Sequence, residues 1–248
     1  MGAWAANAEE GVRHYPYSAD FSVNPATYET LNAPGFFGLH ALGEVWAEML
    51  WVIQQRLIAK HGFSDTLFPP TPNADGKLSP NDFYRPQTFN PHTGLPNPLV
   101  PKHGNTLLLQ LVINGMKMQP CHPSFFDARA AIIEADKVLT GGENVCDIWQ
   151  VFAERGLGTN AKLIGSTPWG GGLRENVSYG TETRRHEADV HNIQGFRVPP
   201  RCRSPEPESE PSSESAPASN PDDYDSFSLW HLFKICTEKW ISRLTWAY

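Results

Sequence analysis

The sequence predicts a mainly α protein: a helical bundle interrupted by one long Pro-rich loop and followed by a disordered acidic tail. Three observations carry this. Apolar residues recur at three- and four-residue spacing through four stretches between residues 38 and 155. Nine prolines punctuate residues 63–104. A run of Ser, Pro, Glu and Asp at 204–224 holds six acidic residues and no basic one, too little apolar surface to offset chain entropy.

Along the chain, residues 1–37 show no sustained period, and Tyr15-Pro16-Tyr17-Ser18 and Asn24-Pro25 read as extended or turn structure. Over residues 38–60, Leu39, Leu42, Val45, Trp46, Met49, Leu50, Ile53, Leu57 and Ile58 recur with helical spacing, and His61-Gly62 supplies a stop. In the loop 63–104, Asp75-Gly76 and Thr93-Gly94 are turn signals, and a loop of this length carries function or wraps a surface. Three more helices follow. Residues 106–117 are strongly apolar; 124–139 open with Ser124 as N-cap and Asp127 three residues on, and stop at Gly141-Gly142; 144–154 place Val145, Ile148, Trp149 and Phe152 on one face and end at Gly156. The chain thus divides into a body at 1–203, a disordered linker at 204–224 and a short segment at 225–248. That last segment spaces Trp230, Phe233, Trp240, Leu244 and Trp246 as a helix would.

The 248 residues are 40% hydrophobic and 19% charged, enough for one large core or two small ones. Net charge is −7, but the tail's six acids and the net +1 of residues 225–248 leave −2 on the body. No basic stripe is available to neutralise a phosphate backbone, so no nucleic-acid partner is expected. The longest apolar runs, 107–111 and 128–133, fall far short of the roughly 20 residues that span a bilayer. Residues 1–10 carry neither a basic n-region nor an apolar h-region, so no signal peptide is read there.

Four cysteines show no zinc-finger spacing. Cys121 precedes one predicted helix and Cys146 lies in the next, so these two either bridge or stay as buried thiols. Cys202 and Cys236 flank the tail and are expected to be unpaired. Asn176-Val177-Ser178 is a glycosylation acceptor pattern that matters in a secreted chain. His186 and His191 are five apart, where two ligands on one helix face need four, and no H-E-x-x-H or G-x-S-x-G occurs. Trp169-Gly170-Gly171-Gly172 and Thr140-Gly141-Gly142 read as turns rather than phosphate cradles. His40 sits in the first turn of the strongest helix with Glu44 one turn on, either as a surface pair or facing a cleft.

Several blocks taken together resemble the fungalysin family of secreted fungal zinc metallopeptidases. They are Met1-Gly2-Ala3-Trp4-Ala5, Gly11-Val12-Arg13-His14-Tyr15-Pro16-Tyr17-Ser18, Asn24-Pro25-Ala26-Thr27-Tyr28, His40-Ala41-Leu42-Gly43-Glu44-Val45-Trp46-Ala47 and Gly115-Met116-Lys117-Met118-Gln119-Pro120-Cys121. Leu139-Thr140-Gly141-Gly142-Glu143-Asn144 and Phe152-Ala153-Glu154-Arg155-Gly156-Leu157-Gly158 add to the resemblance.

The resemblance implies the helical C-terminal lobe of a thermolysin-like catalytic unit, acting on polypeptide substrates with a zinc cofactor. It also implies an N-terminal zinc-binding lobe and a propeptide as partners, with the zinc ligands N-terminal to the part matched by Met1. On that basis the chain alone is expected to be inactive, its Met1 internal, and its location extracellular. His40 resembles the family's oxyanion donor, with Glu44 or Glu29 as its orienting carboxylate, and Arg13 resembles the arginine that contacts a substrate carbonyl. The resemblance favours the Cys121–Cys146 bridge. The sequence after Arg203 matches nothing in the family, and 63–104 is long for it. A different class of reading is a non-catalytic helical binding or regulatory module.

Overall fold

A computed structural model describes residues 2–9, 11–36, 38–164 and 191–203. The expected linker 204–224, the segment 225–248, Asn176, His186 and Cys236 lie outside the described residues.

Four long helices make the body. After a single-turn helix α1 (Ala3–Ala6) and a 3-10 turn (Tyr28–Asn32) come α2 (Leu39–His61), α3 (Gly104–Met118), α4 (Phe125–Thr140) and α5 (Val145–Glu154). α2 packs on α3 and α5, and α4 packs on the same two, closing a ring. Inside it lie Leu42, Val45, Met49, Ile53 and Leu57 of α2, Leu107 and Leu111 of α3, Ile132 and Ile133 of α4, and Ile148, Val151 and Phe152 of α5. Each such side chain contributes about 1.5–3 kcal/mol by leaving water. α2 and α3 meet closely at Gly104, where a Cβ would lie 2.2 Å from the Leu57 carbonyl; only glycine fits there.

The helix ends are set locally. Ser124 Oγ accepts the Asp127 amide at 3.1 Å while Asp127 Oδ2 accepts the Ser124 amide at 2.9 Å, a reciprocal capping box. α4 closes at Gly141 with φ 77°, a left-handed conformation that favours glycine. Buried Asp136 then accepts from the Thr140 hydroxyl and from the Asn144 amide and side chain, and His61 Nε2 meets Asn144 Oδ1 at 2.7 Å. That network ties the end of α2 to the α4–α5 corner.

Between α2 and α3 the Pro-rich stretch forms no helix. It is held by bridges Tyr84–Pro101 and Phe89–Pro96 and by an Arg85–Glu143 contact of 2.5 Å.

Four elements were not expected from local sequence: α1, the 3-10 turns at Tyr28–Asn32 and Pro200–Cys202, and a two-stranded antiparallel sheet of β1 (Lys162–Ile164) and β2 (His191–Ile193). The strands are too short to show an alternating pattern. β2 is fixed by a partner 160 residues away: Asn32 Nδ2 donates to the Asn192 carbonyl at 2.8 Å, and Asn32 Oδ1 accepts the Asn192 amide at 2.9 Å.

The cysteine pairing differs from the expected one. Cys146 bonds to Cys202, with their Cα atoms 5.0 Å apart, and not to Cys121. Cys121 is itself disulfide-bonded, and Cys202, expected unpaired, is a bridge partner. The physical reason is the return of the chain after β2, which lays a 3-10 turn (Pro200–Cys202) against α5 beside Cys146. That proximity depends on residues 56 positions apart and leaves no trace in helix spacing.

Candidate active-site cleft

α2 presents His40, Glu44 and Glu48 at intervals of four, so the three lie in one row along the helix. The segment 13–18 runs beside this row in the same direction. Arg13 Nη1 donates to the His40 carbonyl at 3.3 Å. One turn on, Glu44 Oε1 accepts the His14 amide at 2.7 Å and the Tyr15 amide at 3.1 Å, while Oε2 lies 3.0 Å from His14 Nδ1. At the next turn Glu48 Oε2 accepts the Ser18 amide at 3.3 Å and the Asn24 side chain at 2.8 Å.

The lower rung is closed by Arg155, which follows α5. Its Nη2 lies 2.9 Å from Glu48 Oε1, an ion pair with side chains 0% and 1% exposed. The same guanidinium donates to the carbonyls of Ser18, Asn24 and Ala26 and lies 4.0 Å over the Phe21 ring. Burial pushes the Glu48 carboxyl above its ordinary value and the Arg155 guanidinium below its own, each partner's charge opposing the other's shift. With every lone pair of such a pair desolvated, the surrounding hydrogen bonds decide whether it is tolerated, and here three carbonyls and two donors supply them.

At the upper rung the chain encloses a cleft of about 240 Å³ lined by Val12, Arg13, His14, Gly35, Leu39 and His40. His40 is exposed and Arg13 half-buried. The His14 ring stacks on buried Phe36 with centroids 4.3 Å apart, and its side chain stays 44% exposed. A larger recess of about 440 Å³, between Phe63, Phe68, Phe83 and His103, lies at the opposite end of α2 and holds neither Arg13 nor His40.

Arg13 and His40, singled out in the sequence, therefore lie side by side. Glu44 does not face His40: its two oxygens are taken by His14 and Tyr15. Glu29 is exposed on the 3-10 turn. His14, Glu48 and Arg155 were missed as site-forming residues. The signal available was two carboxylates one turn apart among the apolar positions Leu42, Val45 and Met49 of one helix, where a solvated face would not place them.

The fungalysin metallopeptidase (M36) family matches residues 1–161. The chain belongs to the fungalysin family. Among its relatives, extracellular metalloproteinase MEP of Neosartorya fischeri is 43% identical over 172 residues, covering 67% of this chain and 23% of the relative. Extracellular metalloproteinase 10 of Coccidioides posadasii is 44% identical over 160 residues, 64% and 21% of the respective chains. Extracellular metalloproteinase MEP of Pyricularia oryzae is 41% identical over 166 residues, 67% and 22%. The chain spans less than a quarter of the length of these curated fungalysin relatives.

Membership of a metalloproteinase family implies a metal cofactor, generally zinc. The described residues do not fit that ion as a ligand set: among them no three His, Cys, Asp or Glu side chains gather into a metal site, and Glu44 beside the cleft already accepts from three donors. Among the described residues no helix is long and apolar enough to cross a membrane.

Proposed function

We propose that residues 1–203 are the helical lobe of a secreted fungalysin-type zinc endopeptidase, which supplies substrate-facing donors to a zinc site held by residues outside this chain. The observation that carries the reading is the adjacency of Arg13 and His40 at one exposed cleft. The names of the relatives support secretion and proteolysis.

In this reading His40 donates to the oxyanion that develops on the scissile carbonyl. A preorganised donor of this kind stabilises charge only as it forms, so it lowers the barrier rather than strengthening substrate binding. Arg13 offers a planar, permanently charged set of N–H donors to a neighbouring substrate carbonyl. The helix row beneath both residues holds them in register. Among the described residues no group of His, Cys, Asp or Glu gathers to hold the metal, and in this reading residues 1–248 alone do not hydrolyse peptides.

The test is to purify from the native source the protein that carries this chain's peptides, then measure its mass, its zinc content and its hydrolysis of casein with and without a chelator. The expected result is a species well above 27.6 kDa holding one zinc and losing activity to the chelator. A zinc-free product of about that mass would replace the reading with a non-catalytic binding module.

A further inference from the structure

We infer that Glu44 is the positioning residue for Arg13. The resemblance offered Glu44 or Glu29 as the carboxylate that orients His40; the bonds of Glu44 point to a different task. Glu44 is 3% exposed, and its two oxygens take three donors from two consecutive residues, the His14 and Tyr15 amides and His14 Nδ1. A carboxylate oxygen accepts, so the 3.0 Å contact calls for a proton on His14 Nδ1. One face of the His14 ring is fixed by Phe36.

This anchor begins one residue after Arg13. The Arg13 guanidinium has little holding of its own: Nη1 makes a 3.3 Å contact with the His40 carbonyl, and Nε is buried with no hydrogen-bond partner. Consecutive Cα atoms are a fixed 3.8 Å apart, so the main chain at 14–15 dictates where Arg13 stands. Because Glu44 is one helical turn from His40 on a rigid helix, the same carboxylate sets the spacing between the arginine and the histidine. Glu44 thus acts on substrate through Arg13 and does not itself touch it. The inference rests on the proposed role of Arg13 as a carbonyl donor.

Two experiments test it and separate it from that role. On the 248-residue chain, nitrogen-15 NMR should find the His14 ring protonated at Nδ1, and an Arg13 backbone-amide order parameter near that of rigid backbone, falling below about 0.6 in Glu44→Ala. In Glu44→Gln, whose Oε1 still accepts the two amides, the fall should be smaller; this variant serves if Glu44→Ala melts. An Arg13 order parameter unchanged in both variants, or a His14 ring protonated at Nε2 alone, would overturn the inference.

The second experiment uses the protein purified from its source with substitutions made at the chromosomal locus. Glu44→Ala should lower kcat/KM by about 10–100-fold, as supporting groups around a site do, while in an Arg13→Ala background it should change kcat/KM less than about twofold. Losses that multiply in the double variant would mean that Glu44 does not act through Arg13. If Arg13→Ala leaves hydrolysis intact while the NMR results hold, the positioning stands and the role of Arg13 in catalysis fails.

Discussion

Arg155, at the end of α5, and Glu48, in the middle of α2, meet at 2.9 Å with neither side chain reaching solvent. They are 107 residues apart in sequence, and between them they fix the N-terminal segment that carries Arg13. Arg155 caps the carbonyls of Ser18, Asn24 and Ala26; Glu48 receives Ser18 and Asn24. Glu44, with the packing of Tyr17 on Trp51 and of Tyr28 on Phe125 and Phe126, adds to that hold on residues 13–28.

Replacing Arg155 by Met should therefore cost about 3–5 kcal/mol in urea unfolding, because it strands a buried carboxylate and three carbonyls. Glu48→Gln should cost less, since the amide oxygen still accepts from Ser18 and Asn24. A loss for Arg155→Met below about 1 kcal/mol would mean that the pair contributes no more than a surface ion pair does.

The Cys146–Cys202 bridge closes a span of 56 residues, for which chain entropy predicts about 4 kcal/mol of stabilisation. Cys146→Ala should lower stability by about 2–4 kcal/mol relative to the oxidised protein, with the largest gain in hydrogen exchange at β2 and residues 197–203. Peptide mapping without reduction should recover Cys146 joined to Cys202. Recovery of a Cys121–Cys146 peptide instead would refute the pairing.

Glu143 gives a pH dependence with a definite sign. Burial pushes its carboxyl up, but the hydrogen bond and charge of Arg85, with His61 and Lys60, outweigh this and hold it below its usual 4.5. A carboxylate with a lowered folded-state value stabilises the fold above its unfolded value, and that contribution fades as pH falls through the folded one. The Arg85–Glu143 clasp on the Pro-rich loop should hence weaken below about pH 4.5, and Arg85→Ala should shrink the difference in thermal midpoint between pH 6 and pH 3.5. Both side chains are near one-third exposed, so the effect on overall stability should stay within about 1 kcal/mol. An unchanged acid limb in Arg85→Ala would show that Arg85 does not set this dependence.

His40→Ala in the zinc-loaded protein from the native source should lower kcat by about 10²–10³-fold with little change in KM, as expected for a donor that acts on developing charge. A rise in KM at constant kcat would instead make His40 a substrate-binding residue. Since His40 is exposed in the first turn of α2 and absent from the core, the variant should unfold at nearly the same urea concentration as the wild type.

Much of the architecture was legible because its causes are local. Leu42, Val45, Met49 and Ile53 mark the buried face of α2 by spacing alone, Ser124 with Asp127 marks the start of α4, and Gly141 marks its end. His40 and Arg13 were singled out through the resemblance to the family, and their roles are those proposed above. Glu44 was offered with Glu29 as a carboxylate for His40, because a carboxylate four residues after a histidine on a helix reads as its partner; in the structure His14 and Tyr15 supply its three donors. Arg155 read as a residue within a motif block, with no local feature to announce burial.

The sequence by itself determined the four helices, their ends, the long Pro-rich connection and the fungalysin family, since periodicity, caps and motif blocks are short-range properties of the chain. Tertiary structure alone decided which carboxylate serves which residue, which cysteines bridge, and where Arg13 stands relative to His40. Each of these depends on groups 27 to 107 positions apart being brought together by burial, where desolvation makes an unpaired charge costly and so selects one set of partners.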